Sequence, residues 1–164
     1  MTNEPSSPVC FESEASDTYM GYADRDEILA ALNELLEAER AGARVALESS
    51  KSTDLAAYRE LMQGVRKDEA HWCGMLTRQI QHLGGSPSRK TGAFRERAIA
   101  IPEPLERLTF LNRGQAWVVR KLEKLMPSIR DDALFTDLKE MADRHRANID
   151  LVETFLADRT EPDS

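Results

Sequence analysis

The sequence predicts an all-α chain folded as an antiparallel four-helix bundle, with one long crossover between its second and third helices. Three observations predict it. Ala, Leu, Glu, Arg and Asp dominate the 164 residues while aromatics supply 6%, a composition that favours long helices over sheets. Apolar residues recur at spacings of three and four in four separate segments. Glycine and proline gather where those segments end. A chain of this length is one ordinary domain, large enough to bury its own core.

Residues 1–23 mix Ser, Glu, Pro and Thr without periodicity and read as a disordered acidic tail, with Phe11, Tyr19, Met20 and Tyr22 available to dock it. The bundle then occupies residues 24–158, followed by a short tail at 159–164. Asp24 and Glu27 have the spacing of a capping box, which starts the first helix near Arg25; it should run to about Ser49. Ser52, Thr53 and Asp54 offer capping oxygens for the second helix, which carries Leu55, Leu61, Val65, Trp72 and Ile80 and stops at Gly84-Gly85. So short a joint makes the first two helices antiparallel neighbours.

Residues 86–101 are rich in Pro, Ser, Gly and basic side chains around a brief helix-compatible stretch, Ala93 to Ala100. They form the long connection. Pro102 and Pro104 are placed to start the third helix, which ends before Pro127. Asp131 or Asp132 can cap the fourth, with Leu138, Met141, Ile149 and Val152 facing inward.

The net charge of −7 argues against generic nucleic-acid binding, which needs concentrated Lys and Arg. No apolar run is long enough to span a bilayer, and the acidic N-terminus does not resemble an export signal, so a cytoplasmic setting is expected. Cys10 and Cys73 lack the close spacing of a zinc or redox motif.

Each predicted helix interrupts its apolar stripe near the middle with a polar residue. Glu39 lies in the series Leu32, Leu35, Glu39, Gly42, Ala46. Asp68 lies in Val65, Asp68, Trp72, Met75, with His71 one turn away; Gln115 and His145 interrupt the third and fourth stripes. The four interruptions can meet at one level, and carboxylates with imidazoles suit iron, with manganese or zinc as alternatives. The competing expectation is a metal-free network in which Glu39 and Asp68 pair with arginines such as Arg40, Arg66 or Arg113.

The run Leu32-Asn33-Glu34-Leu35-Leu36-Glu37-Ala38-Glu39 resembles the opening of the first helix of ferritin-like proteins, whose last Glu is a metal ligand. Asp68-Glu69-Ala70-His71-Trp72, continuing to Leu83-Gly84-Gly85-Ser86-Pro87, resembles the second helix of rubrerythrin-like and bacterioferritin-like members and its exit. The resemblance spans residues 24–156 and is nearest to small bacterial ferritin-like domains of unassigned function. It implies the metal ligands Glu39, Asp68, His71, Gln115 and His145. The family's Glu-x-x-His motifs are incomplete, with Asp68 before His71, Ala142 before His145, and Gln115 where the third helix carries Glu. Classical ferroxidase or oxygenase chemistry is therefore not expected. The resemblance also implies a homodimer. The expected function is transition-metal binding in the bundle core; the alternative is a metal-free scaffold for self-association or protein binding. Trp72 and Trp117 are expected in the packing.

Overall fold

The computed structural model describes residues 20–160. Among them the chain is all-helical: α1 (Arg25–Ser49), α2 (Ala56–His82), the short α3 (Phe94–Ile99), α4 (Pro104–Leu125) and α5 (Asp132–Thr160), with a 3-10 turn at Met126–Ser128 before α5. No helix among the described residues is long and apolar enough to cross a membrane.

The ends of α1 follow from local chemistry. Asp24 accepts the amide of Glu27 at 2.8 Å, and the Glu27 carboxylate accepts the amide of Asp24 in return, so the capping box is formed. Asp24→Ala is expected to cost about 1 kcal/mol of stability, measured by urea denaturation. The N-cap of α2 departs from expectation. It is Leu55, which has no side-chain cap, and Thr53 Oγ1 accepts the amide of Leu55 itself at 3.3 Å rather than a free amide in the first turn of α2.

At the other end of α2 the glycines act as the sequence indicates. Gly84 has φ +76°, its amide donates to Gln81 O, and the Gly85 amide donates to Ile80 O, the two bonds of a Schellman motif. Arg25 Nε then donates to Leu83 O at 2.6 Å, tying the start of α1 to the end of α2. The start of α1 thus lies beside the end of α2, as in an antiparallel pair. Asp131 Oδ1 accepts the Leu134 amide at 2.7 Å and caps α5.

The most extensive helix contacts join α1 to α2 and α4 to α5, with smaller ones between α1 and α4 and between α2 and α5. The segment between the two hairpins lies along α1. Asn33 accepts the Ser88 amide, Glu37 accepts the Ser88 hydroxyl, and Arg40 donates to the carbonyls of Ser88 and Lys90. The Arg95–Glu48 ion pair fixes α3 on the same helix. Phe94 reaches from α3 to stack on Phe110 with ring centroids 5.0 Å apart. Gly114 makes room for it: a Cβ there would stand 2.7 Å from the Phe94 ring.

The buried apolar side chains fall into two clusters. One contains Leu32, Leu36, Trp72, Leu76, Leu122 and Leu138; the other contains Val45, Tyr58, Met62, Leu108 and Val152. Between them lies a buried polar layer. Three packing expectations need correction. Trp117 is 42% exposed rather than packed, Leu55 is 44% exposed, and Ile149 is half-buried because the neighbouring Asn148 takes the inward position. Trp72 is buried as expected. Of the expected N-terminal tail, residues 1–19, including Cys10, Phe11 and Tyr19, lie outside the described residues. Ala23 is anchored by its amide to Ser128 O at 3.0 Å.

Candidate functional site

The layer between the cores is built by one residue from each long helix: Glu39 from α1, Glu69 from α2, Gln115 from α4 and His145 from α5, all buried. His145 Nε2 lies 3.0 Å from Glu39 Oε1, and its Nδ1 lies 2.9 Å from the Met141 carbonyl. With a backbone acceptor at Nδ1, a proton there leaves Nε2 as the nitrogen facing Glu39; the charged form donates at both. Burial opposes that charged form. The charge and hydrogen bond of Glu39, the Met141 carbonyl and the charge of Asp68 outweigh burial, and the pKa of His145 is raised.

Glu69 was missed by the sequence reading. Its carboxylate rests against Gly42, where an added Cβ would fall onto its oxygens, so the missing side chain at 42 is what admits the acid to the core. Burial pushes its pKa well above the ordinary carboxylate value, and the negative charges of Glu39 and Asp68 push the same way. Gly42→Ala is expected to displace the Glu69 carboxylate. The overpacking outweighs the better helix propensity of alanine, for a net loss of about 1–2 kcal/mol in urea denaturation.

Asp68 and His71 do not join the layer. Asp68 faces the α2–α5 side, where its Oδ2 accepts Arg144 Nε at 2.7 Å and Asn148 Nδ2 at 3.0 Å. His71 is exposed, edge-on to Trp72 with ring centroids 4.6 Å apart. The physical reason is register. The buried face of α2 carries Tyr58, Met62, Val65, Glu69, Trp72, Met75, Leu76 and Ile80, so Val65, Trp72 and Met75 face inward as expected, but the inward step after Val65 is four residues, to Glu69, rather than three, to Asp68. Gln115, Glu39 and His145 are in the layer as the sequence indicated. Asp68 pairs with Arg144, which is not one of the expected arginines, and Glu39 pairs with His145 instead of an arginine.

The layer is rich in polar atoms that lack a partner. Among the described residues, Glu39 Oε2, Glu69 Oε2, Gln115 Oε1 and Gln115 Nε2 are buried without a hydrogen bond from the protein. Such groups are costly to bury unless something meets them. They lie at the inner end of a cavity of about 510 Å³ between α1, α4 and the segment leading into α3. Phe94, Phe110, Leu111, Trp117 and Val118 supply its apolar walls, and Arg113 and Arg120 also border it.

Carboxylate and imidazole donors suit a first-row metal in kind. As placed, however, one oxygen of Glu39 is committed to His145. Among the described residues no group of three or more His, Cys, Asp or Glu side chains could hold a metal ion. The residues therefore do not fit a metal centre in this arrangement. Nor does Cys73 offer a nucleophile: burial, with the nearby Glu39 and Glu69 charges and against Arg40, pushes its thiol up to about 12.

Fold and site together define an all-helical protein whose divided core holds an acid–amide–imidazole layer at the inner end of an apolar cavity. Residues 26–154 match the family described as Domain of unknown function (DUF6306), and the chain belongs to that family. Comparison with curated proteins and with solved structures gives no match.

Proposed function

We propose that the helices close into an antiparallel four-helix bundle of the ferritin-like kind, and that the cavity between α1 and α4 binds a small organic molecule. Two hairpins joined by a longer crossover support the topology. The single observation that carries the binding role is the meeting of an apolar cavity with buried, unpartnered Gln115, which is 2% exposed. A concave, mostly apolar wall with a few convergent polar groups is the usual form of a small-molecule site. In the ferritin-like register Glu69 takes the place first given to Asp68. Trp72 then stands three residues on, where the family's motif has histidine, and this substitution favours a role other than di-iron chemistry.

The test is a fragment screen read by two-dimensional amide NMR. Shifts concentrated at Phe94, Phe110, Gly114 and Gln115 and at the Trp117 indole support the reading. Shifts scattered over the surface, or none, overturn it.

A second reading keeps the metal. The free second oxygens of Glu39 and Glu69 favour a single transition-metal ion, iron first with manganese or zinc as alternatives, if the Glu39–His145 hydrogen bond opens to admit it. Elemental analysis of protein purified without added metal or chelator tests it. Near-stoichiometric metal that is lost in a Glu39→Ala, Glu69→Ala double variant would establish the ion; metal-free protein that stays empty after anaerobic iron loading would reject it.

A further inference from the structure

The unpartnered atoms of the layer specify a ligand head group. Three of the four are acceptors once Glu69 is ionised: Glu39 Oε2, Glu69 Oε2 and Gln115 Oε1, contributed by three helices to the inner end of one cavity. The fourth, the donor Gln115 Nε2, is not met by an ammonium. A primary ammonium has three N–H donors on one compact charged centre and no acceptor to be left over. Two acids lie out of water here, Glu39 sharing a single imidazole and Glu69 holding its proton. An ammonium brings the positive charge beside which Glu69 would release that proton and both carboxylates could accept. The walls beyond them are aromatic and aliphatic, with Phe94 and Phe110 stacked and Trp117 at the side.

We propose that the cavity binds a primary amine with an apolar body, its ammonium group held by Glu39, Glu69 and Gln115 and its hydrocarbon lying against Phe94, Phe110 and Trp117. This rests on the reading of the cavity as a ligand pocket and adds the chemical class. Other classes fit less well. A carboxylate ligand would meet two acids. An alcohol has one donor and leaves two acceptors unmet, and a quaternary ammonium brings charge with no donor.

The experiment is calorimetric titration of the full chain with four probes: 4-phenylbutylamine, 4-phenylbutan-1-ol, trimethyl(4-phenylbutyl)ammonium and zinc chloride. The amine should bind at least about tenfold more tightly than the alcohol or the trimethyl compound, since hydrogen bonds to charged groups carry the difference. Glu69→Gln should weaken amine binding by about tenfold and leave the alcohol within about threefold; Gln115→Leu provides the same comparison if the first variant folds poorly. Alcohol binding equal to that of the amine would overturn the amine assignment while keeping the pocket. Equal binding of the trimethyl compound would overturn the hydrogen-bonded head group. Binding of zinc alone, or of no probe, would overturn both the amine assignment and the pocket reading.

Discussion

A Glu69→Gln protein is expected to be more stable than the parent at neutral pH and to lose much of the parent's decline in stability as pH rises. The unfolded chain releases this proton in the ordinary carboxylate range, whereas the folded chain holds it to a much higher pH because of burial and the charges of Glu39 and Asp68. Between the two values the folded state binds the extra proton, so stability is full below the unfolded pKa and falls as pH rises towards the folded one. Each pH unit inside that window costs up to about 1.4 kcal/mol. Glutamine keeps the shape beside Gly42 and carries no proton to lose. Urea denaturation of both proteins from pH 4 to pH 9 decides it: curves that run parallel would show that Glu69 is not held protonated by the fold.

Removing His145 should have the largest destabilising effect of any single change in the polar layer. His145→Ala leaves Glu39 buried with neither oxygen partnered by the protein. Breaking one side of a buried charged pair costs about 3–5 kcal/mol. Replacing both partners is expected to be far milder. A Glu39→Leu, His145→Leu double variant removes the buried charge along with its partner and should come within about 1–2 kcal/mol of the parent, because such pairs contribute little net stability over an apolar substitute. Denaturant melts of the two variants against the parent supply the comparison. The raised pKa of His145 adds a pH signature with the same sign as that of Glu69: its contribution is present below the unfolded histidine value and is lost as pH rises through the folded one.

The contrast between what the sequence disclosed and what it hid follows from which signals are local. Asp24 with Glu27 and the Gly84-Gly85 stop depend on neighbours a few residues away, and both motifs formed as expected. The α1 stripe is strongly apolar on either side of Glu39, so that residue's inward direction was plain. On α2 the apolar residues are spread around the helix. Val65, Trp72 and Met75 lie on the buried face as expected, but a step of three or of four from Val65 reaches Asp68 or Glu69, and the apolar pattern alone does not choose between them. Gly42 held the missing clue, since a glycine in mid-helix on a buried face marks a place where something from a neighbouring helix comes close. Which group that was depended on packing across helices, as did the cavity, which exists because the segment before α3 folds back along α1.

The two apolar clusters have consequences for cooperativity. They share no residue, and the layer of Glu39, Glu69, Gln115 and His145 stands between them, so a truncation such as Leu36→Ala is not felt directly by Tyr58 or Leu108. Energetic losses at the two ends should then add with little coupling term. Each long helix runs through both clusters and already links the ends, so a compensating charge in the polar layer should slow amide exchange most in the turns around Glu39, Glu69, Gln115 and His145.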